Sequence, residues 1–163
     1  MRLLVLLPAV MLLSAGCTSS PPPRAAPQAT SPGAPATAAR TGCGSVVETG
    51  PLPEWARAGF SGDARMPHVM GDRGDIVAAI FGHPLALTRP DGSSNKILWV
   101  SKPSDPPGDL QITATRDGTT DPVRRTVPGG PGPSIIDLPQ AGCWRLTLTW
   151  SGHSDTMDLV YLP

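Results

Sequence analysis

The chain has 163 residues, and its 13 lysines and arginines are matched by 13 aspartates and glutamates. That balance removes the electrostatic case for nucleic acid, because such binding rests on a basic surplus facing a phosphate backbone. With 21 prolines and 18 glycines, long helices are disfavoured, and the roughly 120 residues from position 43 onward suffice for one compact core but not for two ordinary domains.

The first sixteen residues carry one positive charge at Arg2, an apolar run from Leu3 to Val10 continued by Met11, Leu12 and Leu13, and small residues before Cys17. This is the three-part pattern of a secretory signal, and it is shorter than the ~20 apolar residues a bilayer-spanning helix needs. Ala15-Gly16-Cys17 resembles the lipobox of diacylglyceryl-modified bacterial lipoproteins. The resemblance implies cleavage after residue 16, lipid including palmitate on Cys17, and anchoring at the extracytoplasmic face of the cell membrane. A signal cleaved without lipid addition is the alternative.

Residues 17–42 form the next unit, the lipid-bearing cysteine followed by Thr, Ser, Pro, Ala, Gln and Gly with only Arg24 and Arg40 charged. Such a composition buries too little to offset ordering entropy, so a disordered Pro/Ala-rich tether is expected. Fully extended at ~3.1 Å per residue it would reach ~78 Å. Once Cys17 is assigned to lipid, Cys43 and Cys143 remain. In an exported chain they are expected to form a disulfide, the alternative being two free buried thiols. A loop of ~100 residues closed in this way is worth at most ~4.7 kcal/mol in the chain-entropy account.

The domain at 43–163 reads as a succession of strands. A short one is expected at 45–48, then a helical turn at 53–58 opened by Pro53 and ended by Gly59, and then an irregular stretch from Trp55 to Asp75. Strands follow at 75–81, 96–101, 110–115, 123–127 and 134–138. Leu110, Ile112 and Ala114 alternate with Gln111, Thr113 and Thr115, the period of a sheet with one buried face. Trp144, Leu146, Leu148 and Trp150 alternate with Arg145, Thr147 and Thr149. A turn at 151–155 and a last strand through Met157, Leu159 and Tyr161 complete a hairpin. Breakers such as Pro90-Asp91-Gly92, Pro106-Pro107-Gly108 and Pro128-Gly129-Gly130 separate these runs, and the whole predicts an all-β, mainly antiparallel β-sandwich.

The segment Leu138-Pro139-Gln140-Ala141-Gly142-Cys143-Trp144 leading into an alternating strand, with an earlier cysteine and Trp99 between, resembles the second half of an immunoglobulin-like domain. Ala141 stands where immunoglobulin domains place tyrosine. More specifically, Asn95-Lys96-Ile97-Leu98-Trp99-Val100 and the stretch from Gly132-Pro133-Ser134 to Thr149-Trp150 look like an uncharacterised family of secreted or lipid-anchored β-domain proteins of Gram-positive-type bacteria. That resemblance implies export and a compact β domain, and no particular activity.

Chemistry-bearing residues are sparse. His68, His83 and His153 are scattered, and the nearest approach to a metal site is Met66-Pro67-His68-Val69-Met70, whose thioether and imidazole groups suit Cu(I). The competing reading packs Met66 and Met70 under a loop with His68 solvated. Neither Gly92-Ser93-Ser94 nor Gly152-His153-Ser154-Asp155 fits the Gly-x-Ser-x-Gly nucleophile elbow. Asp72 and Asp75 lack the terminal Glu of a calcium loop. No catalytic residue, cofactor site or metal site is therefore assigned. The chain is expected to act as a monomeric, non-catalytic binding or accessory module of the cell envelope, meeting an envelope protein or glycan through a surface at Trp55, His68 and Arg73, since long loops on rigid sandwiches commonly carry binding groups. The alternatives are a glycan-binding sandwich using an exposed Trp, a copper carrier using Met66, His68 and Met70, and, last, a hydrolase.

Overall fold

The structure, a computed structural model, describes residues 43–102 and 106–163. The expected signal at 1–16, lipid at Cys17 and tether through residue 42 lie outside the described residues. Eight strands follow one another: β1 (His68–Met70), β2 (Ile76–Ile80), β3 (Lys96–Ser101), β4 (Leu110–Arg116), β5 (Val123–Val127), β6 (Pro133–Ile135), β7 (Gly142–Trp150) and β8 (His153–Tyr161). They form two four-stranded sheets in the orders β1-β2-β3-β6 and β5-β4-β7-β8, and every neighbouring pair is antiparallel. The all-β sandwich is thus the fold of the described residues. Its second sheet sets β4 between β5 and β7, a crossover order that immunoglobulin domains also give to one of their sheets, whereas in the first sheet β3 takes the place beside β2 that they give to a later strand.

The core follows from alternation in β4 and β7. Ile112 pairs with Leu148 and Ala114 with Leu146, and these side chains point into one cluster with Trp144, Trp150, Trp99, Met157, Leu159 and Tyr161. Gln111, Thr147 and Thr149, one residue out of step, face solvent. The two faces separate because side chains of a strand alternate across the sheet.

β2 shows no such alternation: all five of its residues are buried. Ile76, Ala78 and Ile80 belong to the inter-sheet core, while Val77 and Ala79 form a second cluster with Leu52, Ala56 and Ala64. The chain from Leu52 to Met66 therefore lies as a strap across the outer face of the first sheet, with Trp55, Phe60, Met66 and Met70 packed against the same cluster. A strand covered on both sides reads as a continuous apolar run.

Several expected elements change in detail. The helical turn is a short 3-10 turn at Glu54–Ala56. The strand expected at 45–48 is reduced to an isolated bridge between Glu48 and His68, and the stretch expected to be irregular contains β1. β6 ends at Ile135, although Ile136 and Leu138 beyond it remain buried. The last strand begins at His153 rather than after residue 155, because Trp150 pairs directly with His153. Ser151 and Gly152 turn the chain alone, at φ 44° and 77°, the left-handed conformation that two-residue hairpins demand.

Cys43 and Cys143 form the disulfide, with their Cα atoms 5.4 Å apart and 100 residues between them. It fastens the start of the described domain to the beginning of β7. Two outcomes follow for stability. Trp150 is enclosed, and its Nε1 has no acceptor among the described residues, so its worth lies in packing; Trp150→Ala should lower unfolding free energy by ~3–5 kcal/mol in a denaturant titration. Cys143→Ser should cost ~2–5 kcal/mol in the same assay, and peptide mapping without reductant should recover the two cysteines joined.

Candidate functional site

The three residues expected to share a binding surface sit in different surroundings. His68 is 1% exposed, which corrects the expected solvated imidazole. The residues around Glu48 close over it: His68 exchanges two backbone hydrogen bonds of 2.8 Å with Glu48. The imidazole Nδ1 lies 2.9 Å from the Met66 carbonyl oxygen, and Nε2 lies 3.6 Å from a Glu48 carboxylate oxygen. Met66 and Met70 pack, half-buried, against the second apolar cluster. Trp55 is half-buried on the 3-10 turn against that cluster. Arg73 is exposed at the other end of β1, where its guanidinium donates to the Ser154 carbonyl at 3.2 Å.

Arg73 belongs to a turn held by a buried carboxylate. Asp155, 1% exposed, accepts the backbone N–H of Arg73 at 2.9 Å and that of Asp75 at 3.0 Å. Gly71 passes so close that a Cβ there would stand 2.3 Å from Asp155 Oδ2, which accounts for glycine at that position. The acids considered for calcium are engaged: Asp75 pairs with Lys102 at 3.0 Å, and Asp72 pairs with Arg145.

Arg145 in turn reaches Asp158 at 3.0 Å and Thr156 Oγ1 at 2.9 Å. Burial works to lower its pKa, but the hydrogen bonds and charges of Asp158 and Asp72 outweigh that and hold it above the usual value. Asp158 also accepts the Gly44 N–H at 2.7 Å. It lies with Cys43 and Cys143 in a group whose ligand atoms fall within 4.8 Å of one another. With the sulfurs bonded to each other, no thiolate is offered to a metal ion, and the cluster is a fastening for the incoming chain.

The end of the sandwich where Cys43 joins β7 has a different character. Val46, Val47, Phe81, Leu87, Ile135, Val160 and Leu162 are exposed, and Val47, Val160 and Leu162 line one cleft. Val160 is opposite Cys143, Ile135 is opposite Lys96, Phe81 bonds to the Lys96 carbonyl, and Leu87 bonds to that of Leu162. A cleft of about 180 Å³ opens among Val47, His83, Pro84, Val160 and Leu162. A second, of about 230 Å³, lies between the β4–β5 turn and the approach to β7, with Arg116, Gln140 and Trp144 among its lining residues. Arg116 was not singled out by motif. The signal for it was positional: it continues the inward row Leu110, Ile112, Ala114 and puts a cation where that row predicts an apolar group.

No known protein family, characterised protein or solved structure matches this chain.

Tyr161 ties this end together, its hydroxyl donating to the Ile136 carbonyl at 2.5 Å. Burial, reinforced by the charge of Asp137, holds the phenol neutral far above its ordinary value of 10.0. A pKa raised on folding contributes stability that is fully present below the unfolded value and is lost as pH rises through the folded one. Because Tyr161 is the only tyrosine, alkaline absorbance titration should show no phenolate near pH 10.0 in folded protein, its appearance at higher pH coinciding with loss of structure by circular dichroism.

Proposed function

We propose that this protein is a lipoprotein of the cell envelope, anchored by lipid on Cys17 at the extracytoplasmic face, whose β-sandwich acts as a non-catalytic binding or accessory module. The observation that carries the reading is the disulfide: two of the three cysteines of the chain are joined to each other, a bond that persists in oxidising compartments. Cys17 is then left as the one cysteine outside the bridge, directly after an apolar signal-like run. Three of the four tryptophans are buried, which leaves Trp55 as the tryptophan on which a sugar ring would stack. The thioethers of Met66 and Met70 lie in apolar packing and give no positive support to copper carriage.

The test is made in the native host. Wild-type protein should partition with membranes and carry a lipid-modified Cys17 as its first residue by mass spectrometry, whereas Cys17→Ala should be released or remain unprocessed, because two or more acyl chains give stable anchoring. A mature N-terminus mapped elsewhere and free of lipid would overturn the reading.

A further inference from the structure

We propose that the cleft at Arg116 is a binding site for a small ligand carrying a carboxylate, with Arg116 as the group that recognises the negative charge. The inference goes beyond the anchoring reading and does not depend on it. Among the described residues three arginines are half-buried: Arg89, Arg116 and Arg145. Arg89 is bonded to the carbonyls of Gly82 and Pro84, and Arg145 is bonded to Asp158 and Thr156. The Arg116 side chain is only half-buried, but its Nε is buried with no acceptor among the described residues, and a buried donor left without an acceptor is costly.

The surroundings hold that cation in place. Arg116 ends β4 directly opposite Trp144, and its stem lies over Gly142, where a Cβ would stand 3.5 Å from Arg116 Cδ. Gly142 has φ 131°, so a side chain there is disfavoured on backbone grounds as well. The arginine stem packs against Gly142 at ordinary contact distance, and Arg116 is among the residues that line the cleft. Two other donors are already used: Trp144 Nε1 donates to the Gln140 carbonyl at 2.9 Å, and Thr119 Oγ1 donates to the Arg116 carbonyl at 2.8 Å. The guanidinium and the Gln140 side-chain amide are left for a ligand, while Val123 and Pro139 supply an apolar wall.

The chemistry selects among anions. A guanidinium fork matches a planar carboxylate through two parallel hydrogen bonds, and it also meets phosphate. Asp121 is a further lining residue, and its carboxylate repels the second negative charge of a phosphate dianion more than it repels a singly charged acid. A volume of about 230 Å³ suits an acylated amino acid or the last residue of a peptide rather than a polymer.

The experiment uses the full chain, labelled with nitrogen-15, titrated with N-acetylglycine, acetate and inorganic phosphate while the Arg116 Nε–H resonance is followed. N-acetylglycine should shift that resonance along a saturating curve, with acetate weaker for lack of the body that meets the apolar wall, and phosphate weaker than N-acetylglycine. Arg116→Gln should abolish saturable binding with the Trp144 Nε1–H resonance in place as a sign of intact fold. Arg124→Gln, which removes an exposed arginine, should leave binding unchanged. If Arg116→Gln does not fold, Arg116→Lys keeps the charge without the fork and should weaken N-acetylglycine by about tenfold or more. An absent or unsaturable shift, or equal binding by the Arg116 variant, overturns the site, and phosphate binding at least as tightly as N-acetylglycine overturns the carboxylate assignment.

Discussion

The burial of β2 on both faces is the constraint from which the layout of this domain follows. A five-residue run without polar side chains, Ile76–Ile80, offers one row to the inter-sheet core and a second row that must also leave water. The second sheet cannot cover both. The strap from Leu52 to Met66 covers the other, held by the Leu52 N–H bonded to the Ala64 carbonyl at 3.2 Å and by Arg57 Nε bonded to the Leu52 carbonyl at 2.6 Å. One broad face of the molecule is thereby committed to stability. The opposite broad face is polar, with Gln111 bonded to Thr126 and Arg145 bonded to Asp158, which leaves the ends of the sandwich as the places where apolar and charged groups meet in clefts.

Polar side chains inside the molecule act as ties between segments distant in sequence. Asn95 accepts the Ala86 N–H at 3.0 Å and donates to the Ala86 carbonyl and to Asp137, so the stretch after β2 is secured to the approach to β3. Asp155 secures the β1–β2 turn, and Asp158 secures the incoming chain at Gly44. Each carboxylate accepts several backbone or guanidinium hydrogen bonds, the condition under which a buried charge is tolerated. Arg116 departs from this pattern, and the departure is what distinguishes its cleft from the other polar clusters.

The sequence made some of this legible and hid the rest for identifiable reasons. β4 and β7 are plain because each has one wet and one dry face, so the period-two pattern survives. The disulfide followed from counting cysteines in a chain read as exported. β1 was missed because three residues carry no period, and because Trp55, Phe60 and Met66 reach the sheet from a strap whose spacing obeys the path of a loop and no helix or strand repeat. The start of β8 was missed because Asp155 occupies an inward position, where a polar residue reads as a turn. The grouping of Trp55, His68 and Arg73 relied on nearness in sequence, and β1, His68–Met70, lies between His68 and the turn that carries Arg73. Arg116 was legible only as an exception to a pattern, because the sequence does not show that its buried Nε lacks an acceptor among the described residues.

The position of the disulfide also decides how the molecule answers a pull. Tension applied to the chain ahead of Cys43 does not first load the segment from Gly44 to Leu52, which is attached by a few scattered hydrogen bonds and would detach one contact at a time. It passes through the sulfurs into β7, an inner strand bonded along its length to β4 on one side and β8 on the other. A load entering there is shared by many hydrogen bonds, so yielding requires them to fail together. In an oxidising environment the domain therefore behaves as a mechanically bolted head, and reduction of one bond would turn it into one that peels.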